Sequence, residues 1–177
     1  MVSLTPSMQA FILHWGEMGT RWGINRTVAQ IHALLFLSPQ PLRAGEIAGT
    51  LSVARSNVSN SLRELQGWGI VNVVHVMGDR RHRYEAMKDV WQMFQLIVDE
   101  RKKRECDPTL TTLRELTAEA KKSGAKDAYT QERLAEMLEF YETITTWYAQ
   151  VRRMPTKSVI KFVKMGDKVR KLLGEAQ

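Results

Sequence analysis

Residues 42–86 read LRAGEIAGTLSVARSNVSNSLRELQGWGIVNVVHVMGDRRHRYEA. Apolar periodicity predicts two short helices here, over 43–51 and 55–67, separated by the turn Ser52-Val53-Ala54. The valine-rich run 70–77 predicts a strand, and Gly78-Asp79 is a turn signal before a partner strand at 83–86. The segment therefore predicts two helices followed by a small β-hairpin with a basic tip.

Helical signals dominate on both sides of this segment. Thr5-Pro6 is an N-cap followed by proline at the first helical position, and Asn25 opens a second helix that ends at residues 38–41. Helical periodicity returns from residue 88, restarts at Asp107-Pro108, and continues in a strongly amphipathic stretch up to Met154-Pro155 and a last helix over 156–173.

This order predicts a mainly α protein, a winged helix-turn-helix with a small β-hairpin wing, flanked by long helices that form a dimerisation region. The predicted parts are an N-terminal helix over 1–24 that serves dimerisation or packing, the winged helix-turn-helix DNA-binding domain over 25–87, and a helical dimerisation region with a lysine-rich last helix over 88–177. The flanks carry more apolar surface than a small domain can cover, and a two-fold contact with a second copy would bury it.

Composition limits the class of protein. The chain has 177 residues, 26 Lys and Arg against 19 Asp and Glu, and a formal net charge of +7. A single cysteine, Cys106, excludes an internal disulfide and is typical of a reducing compartment. No signal-peptide pattern is present, and no stretch approaches the ~18–20 apolar residues of a membrane span, so we expect a soluble, cytoplasmic protein with no membrane partner.

The sequence lacks a Walker loop, a dinucleotide-binding glycine pattern, a nucleophile elbow and a His-Glu-x-x-His helix. Its four histidines and one cysteine do not have the spacing of a zinc site. We therefore expect no enzymatic activity, no cofactor and no metal. Cys106 follows several cationic residues, which is compatible with redox sensing, but an inert thiol is the favoured interpretation.

The helix predicted over 55–67 has two unlike faces. At about 100° per residue, Ala54, Leu62 and Leu65 cluster around Val58, and short polar side chains lie opposite. Hydroxyl, amide and guanidinium groups suit base edges and phosphates, although a solvated polar face is the alternative for this helix alone. The basic hairpin that follows favours a role in DNA binding. The predicted DNA-binding residues are Arg55, Ser56, Asn57, Ser59, Asn60 and Arg63 on the helix and Arg80, Arg81 and Arg83 on the wing.

Two further patterns lie outside this module. Lysines recur in steps of four and three along the last helix, which is favoured as a solvated face, with DNA phosphate or an acidic membrane surface as alternatives. Aromatic side chains on the flanking helices suggest a pocket for a quaternary ammonium cation, with core and dimer packing as the alternative. The lysines are Lys157, Lys161, Lys164, Lys168 and Lys171; the candidate effector-binding aromatics are Trp22, Trp91, Phe94, Trp147 and Tyr148.

The motifs of residues 42–86 resemble the winged-helix module of the MarR regulators, through Gly45-Glu46-Ile47-Ala48, Ser56-Asn57-Val58-Ser59, Leu62-Arg63-Glu64-Leu65, Gly69-Ile70-Val71 and Asp79-Arg80-Arg81. Residues 91–94 and 101–109 are similar to the GbsR branch of that superfamily. The resemblance implies a homodimeric transcriptional regulator, usually a repressor, with recognition helices in major grooves and wings over minor grooves. Members of this branch respond to choline, which makes a small organic cation the implied effector.

The first hypothesis is therefore a homodimeric repressor that binds double-stranded operator DNA and responds to a small effector. The alternative is a winged-helix module that docks a protein in a transcription assembly without specific DNA readout. The polar face over residues 56–63 speaks against docking, since a protein-binding surface typically carries an aromatic or aliphatic anchor.

Overall fold

The computed structural model describes residues 2–122 and 128–165 of the chain. The chain forms two compact units, Met1–Ile97 and Val98–Gln177. The first helix packs along the second and belongs to the first unit. The fold is mainly helical with one small antiparallel sheet, which confirms the predicted winged helix-turn-helix class.

The first two helices begin where the sequence predicts. Helix α1 spans Pro6–Arg21, and the hydroxyl of Thr5 accepts a hydrogen bond from the Met8 N–H at 3.2 Å. Helix α2 spans Arg26–Leu37, and the Asn25 side-chain oxygen accepts from the Thr27 N–H at 2.8 Å. These side chains satisfy N–H groups that the first helical turn leaves without a partner, so each helix start is fixed locally.

The helix-turn-helix is formed by α3, Ala44–Leu51, and α4, Arg55–Gly67. Ser52, between them, adopts a left-handed conformation with φ 55°, which turns the chain sharply. Val58, Leu62 and Leu65 on α4 are buried in the core together with residues of α2 and α3. The predicted boundaries and the inward face of α4 are confirmed.

The wing belongs to a three-stranded antiparallel sheet rather than to an isolated hairpin. Its strands are β1, Leu42–Arg43, β2, Val71–Val76, and β3, Asp79–Ala86, in the order β1-β3-β2. The sequence analysis missed β1 because two residues carry no periodicity, and their pairing partners Tyr84 and Arg83 are distant in sequence. This strand joins the start of α3 to the base of the wing.

The second unit continues from α5, Val90–Arg101, whose end enters it. A π-helical turn, Lys102–Cys106, leads without a break into α6, Asp107–Lys122, which begins at the predicted residue. Proline inside an α-helix lacks the N–H donor and clashes with the carbonyl four residues earlier. The wider π turn directly before Pro108 relieves this crowding and lets the helix pass through the proline.

Helix α7, Ala128–Arg152, packs against α6, and α8, Thr156–Lys164, follows Pro155. Arg114 on α6 and Glu142 on α7 form an ion pair at 2.9 Å. The Asp99 carboxylate accepts hydrogen bonds from the Tyr148 hydroxyl and from Nε of Arg152. The part of the last predicted helix that follows residue 165 lies outside the described residues.

Candidate nucleic-acid interface

A concave surface with a volume of about 620 Å³ lies between the starts of α3 and α4 and the wing. Its cations come from three separate elements: Arg43 precedes α3, Arg55 begins α4, and Arg81 is on β3. Converging cations form a site for an anion, because each arginine offers several N–H donors and a permanent charge. We call this surface the basic cleft; it is lined by Arg43, Ala44, Gly45, Glu46, Arg55, Ser59, Arg81, His82 and Tyr84.

The exposed face of α4 continues from this cleft. Val58, Leu62 and Leu65 are at most 1% exposed, so burial fixes the rotation of the helix about its axis. Every predicted contact residue of α4 is exposed on the opposite face, and Nη1 of Arg63 donates to the Asn60 side-chain oxygen at 3.3 Å. Burial of the apolar face of α4 therefore leaves the hydrogen-bond donors and acceptors of its polar face exposed to a binding partner.

The N-terminus of α4 has no side-chain cap. Ala54 occupies the N-cap position and supplies no acceptor, in contrast to Thr5 and Asn25 on α1 and α2. The first N–H groups of a helix lack partners within that helix, and the helix dipole makes its start favourable for anions. Helix α4 therefore places backbone donors beside Arg55, at the edge of the basic cleft.

The wing is held by the carboxylate of Asp79. It accepts from Nη2 of Arg43 at 2.8 Å, from Nη2 of Arg83 at 3.4 Å and from the Arg81 N–H at 3.1 Å. The Arg81 N–H, with the charge of Arg43 and the side-chain hydrogen bonds, lowers the pKa of Asp79 below its ordinary value. Asp79 is therefore ionised at neutral pH and connects β1, β3 and the turn of the wing.

The predicted DNA-binding residues occupy three different environments. Arg55, Ser59 and Arg81 line the basic cleft, whereas Ser56, Asn57, Asn60 and Arg63 lie on the exposed face of α4. Arg80 is exposed on the wing. Arg83 is paired with Asp79 and its side chain is only 28% exposed, so it braces the wing from within.

The sequence did not identify Arg43, His82 and Tyr84 as residues of this site. Arg43 enters the cleft because β1 pairs Arg43 with Arg83, across the sheet. A long-range pairing of two residues leaves no local signal. His82 and Tyr84 are two residues apart on β3, so a strand assignment would have placed them on one face of the wing.

The candidate effector-binding aromatics are divided between the two units. Trp22, Trp91 and Phe94 belong to the first, and Trp147 and Tyr148 belong to the second. Trp22 packs edge-on against Trp15 at 5.9 Å, and Phe94 is 57% exposed. Burial and the hydrogen bond to Asp99 raise the pKa of Tyr148.

Of the lysine stripe, Lys157, Lys161 and Lys164 are exposed on α8, while Lys168 and Lys171 lie outside the described residues. Cys106 is a free, half-buried thiol in the π turn. Over residues 2–122 and 128–165, no three His, Cys, Asp or Glu side chains form a group suited to a metal ion. No helix in these ranges combines the length and apolar character that crossing a bilayer requires.

Comparison with known proteins places these features in context. Residues 22–82 match the model of the MarR family. The "HTH-type transcriptional repressor GbsR" of Bacillus subtilis (strain 168) is 21% identical over 154 residues, covering 83% of this chain and 85% of that protein. A solved structure titled "Crystal Structure of a transcriptional regulator" is similar with a TM-score of 0.62 at 19% identity, covering 83% of this chain and 96% of that one. At this identity, the structural likeness concerns the fold.

Proposed function

We propose that this chain, a winged-helix protein of the MarR superfamily, is a transcriptional regulator that binds double-stranded DNA through α4 and the wing. The observation that carries the proposal is the basic cleft, where Arg43, Arg55 and Arg81 converge beside the uncapped start of α4. A backbone phosphate matches this arrangement, since arginine and helix N-termini are both common phosphate contacts.

In this proposal α4 enters a major groove. Ser56, Asn57, Asn60 and Arg63 face the base edges, because amide and guanidinium groups make paired hydrogen bonds to adenine and guanine respectively. Arg55 and Ser59 hold the phosphate at the basic cleft. Arg80 extends over the adjacent minor groove, where a narrow groove concentrates negative potential, while Arg81 stays on the phosphate at the basic cleft.

The proposed regulator is a homodimeric repressor that joins its copies through the helical second unit. Helix α7 carries two apolar stripes: one packs against α6, and the other is exposed. The exposed stripe follows helical steps of three and four, which is typical of a helix-packing surface. It consists of Met137 (49% exposed), Phe140 (56%), Ile144 (42%) and Trp147 (52%). A two-fold contact would bury this stripe against its own copy.

The proposed effector is a small organic cation such as choline, bound by aromatic faces. Trp22, Phe94 and Trp147 are each about half exposed, at 46%, 57% and 52%, which leaves ring faces accessible to a ligand. Release of the operator requires that the effector bind more tightly to the form with weaker DNA affinity. Melting temperatures measured with added choline and betaine test the proposed effector. If neither compound changes the melting temperature, the effector proposal is wrong.

DNA binding is tested by titration against a duplex enriched from a randomised pool. Arg63→Ala should reduce the preference for that duplex over a scrambled one, because it removes a base-edge donor. Arg81→Ala should weaken binding to both duplexes and flatten the salt dependence by about one unit, as expected for one lost phosphate contact. Arg133→Ala on α7 is the matched control. If Arg63→Ala and Arg81→Ala both bind like the parent, the proposal is wrong.

The dimer is tested separately by light scattering during size-exclusion chromatography. The parent should elute as a dimer, and Phe140→Asp should elute as a monomer because it places a charge in the centre of the exposed stripe. Glu139→Ala, next to it on α7, controls for effects on the helix itself. A monomeric parent over the micromolar concentration range would contradict this assignment.

A further inference from the structure

The tip of the wing carries an unusual side chain for an exposed turn. Met77 lies between β2 and β3 and is fully exposed, with a relative accessibility of 102%, and the adjacent Val76 is 43% exposed. Single exposed apolar side chains are common on protein surfaces, and what distinguishes Val76 and Met77 is their place at the tip of a wing that also carries exposed arginines. After Gly78 and Asp79 come two exposed arginines of β3, Arg80 and Arg81.

The backbone beside the tip is held by hydrogen bonds at Asp79, two residues after Met77. Gly78 has φ +83°, a conformation that makes the tight turn and that other residues rarely adopt. The next residue, Asp79, is fixed by Arg43, Arg83 and the Arg81 N–H. An apolar group held on a rigid support loses little conformational freedom when it binds, which favours its use as a contact.

We propose that Met77 is a wedge that enters the DNA minor groove and partly unstacks a base step, so that the wing selects deformable steps beside the site read by α4. The inference rests on the proposed DNA-binding function and adds a second source of sequence selectivity to it. Arg80 and Arg81 would draw the tip into the groove by charge, and the thioether chain would then contact base and sugar surface. Pyrimidine–purine steps unstack most easily and are the predicted preference.

The size and charge of the tip favour DNA over a protein as its partner. Specific protein interfaces bury about 1,200–2,000 Å² in total, far more than two neighbouring side chains supply. Charged residues are also depleted at the centre of such interfaces, whereas Arg80 and Arg81 follow Met77 three and four residues later here. An apolar tip with adjacent cations matches the minor groove, whose walls are anionic and whose floor is formed by base edges.

The test is selection from a randomised duplex pool with three proteins: the parent, Met77→Ala and Arg63→Ala. The parent should enrich a central motif flanked by pyrimidine–purine steps. Met77→Ala should retain the central motif, lose the flanking preference, and bind the parent's best duplex about tenfold more weakly. Arg63→Ala should instead lose the central motif and keep the preference for flanking pyrimidine–purine steps. Met154→Ala, a partly exposed methionine after α7, is the matched control.

A spectroscopic readout accompanies the selection. 2-Aminopurine placed at the flanking step should brighten when the parent binds, because the base loses its stacking partner, and should brighten much less with Met77→Ala. Met77 makes no contribution to the core, so the variant should melt at the parent's temperature. If Met77→Ala keeps the flanking preference and the fluorescence change, the proposed role of Met77 as a wedge is wrong. The proposed DNA-binding function would not be affected by that result. If the parent enriches no sequence at all, the proposed function fails and the wedge fails with it.

Discussion

Nη2 of Arg43 lies 2.8 Å from Oδ2 of Asp79, in an ion pair that joins the residue before α3 to the turn of the wing. Both side chains are partly buried, at 33% and 21% exposure. The backbone N–H of Arg43 also donates to the Glu46 carboxylate at 2.7 Å, so this N–H group has a partner at the start of α3. One arginine therefore holds together two walls of the basic cleft.

Asp79→Asn should weaken DNA binding even though it removes a negative charge. Without the ionised carboxylate the wing loses its fixed position, and we expect about fivefold weaker binding to all duplexes. Electrostatics alone predicts the opposite, since the protein becomes more cationic. Glu17→Gln on α1 makes the same change in net charge away from the wing. Fluorescence anisotropy measures both variants, and an equal gain in affinity for the two would contradict a positioning role for Asp79.

Gly19→Ala should destabilise the first unit through the contact of α1 with α2. A Cβ atom at Gly19 would lie 2.5 Å from Cβ of Ala29, so the helices would have to separate. Overpacking of this kind costs about 1–3 kcal/mol. At Gly67 a Cβ meets nothing within 4 Å, and Gly67→Ala should be neutral or slightly stabilising. Urea unfolding measures the difference; equal stability of both variants would mean that α1 and α2 are not closely packed at Gly19.

The local parts of the fold could be predicted from sequence because their signals are local. Thr5 and Asn25 cap helices through N–H groups two or three residues away, and Val58, Leu62 and Leu65 reveal the buried face of α4 by spacing alone. The exposed residues of α4 follow from the same spacing. The candidate contacts on α4 were therefore predicted from one helix and its neighbours.

The connections between elements could not be predicted in this way. Strand β1 exists because Leu42 and Arg43 pair with Tyr84 and Arg83. Nothing in the sequence near either pair of residues indicates that the two segments are neighbours. The role of Arg83 as a brace, rather than an exposed wing contact, depends on the position of Asp79 in three dimensions. The helix that continues through Pro108 likewise depends on a change to π-helical hydrogen bonding that composition does not encode.

Lys88→Met should destabilise the first unit by loosening the end of α2. The ammonium of Lys88 donates to the carbonyl oxygens of Leu35, Phe36 and Ser38 at 2.7–2.8 Å, where helix carbonyls have no partner further along the helix. A cation at the negative end of the helix dipole adds to this, and we expect a loss of about 1–2 kcal/mol in the free energy of unfolding. Lys161→Met, on the exposed face of α8, is the control. Identical urea midpoints for the two variants would contradict a capping role.

His32 should make the stability of the first unit depend on pH. Its side chain is 4% exposed and lies between the rings of Trp15 and Phe36, with no hydrogen-bond partner for Nε2 among the described residues. Burial, with the nearby charge of Lys88, lowers the pKa of His32 from 6.5 to about 4.

In the unfolded chain the His32 imidazole therefore takes up a proton near pH 6.5, whereas in the folded chain it does so only near pH 4. Above pH 6.5 the imidazole is neutral in both states and contributes nothing to the pH dependence. As the pH falls from 6.5 towards 4, the free energy of unfolding should decrease, and at pH 5 the decrease should be about 2 kcal/mol. His32→Phe should remove most of this decrease, whereas His14→Gln, an exposed histidine, should retain it. Urea unfolding at pH 7 and pH 5 measures the effect. An unchanged difference between the two pH values in His32→Phe would mean that another group controls the acid sensitivity.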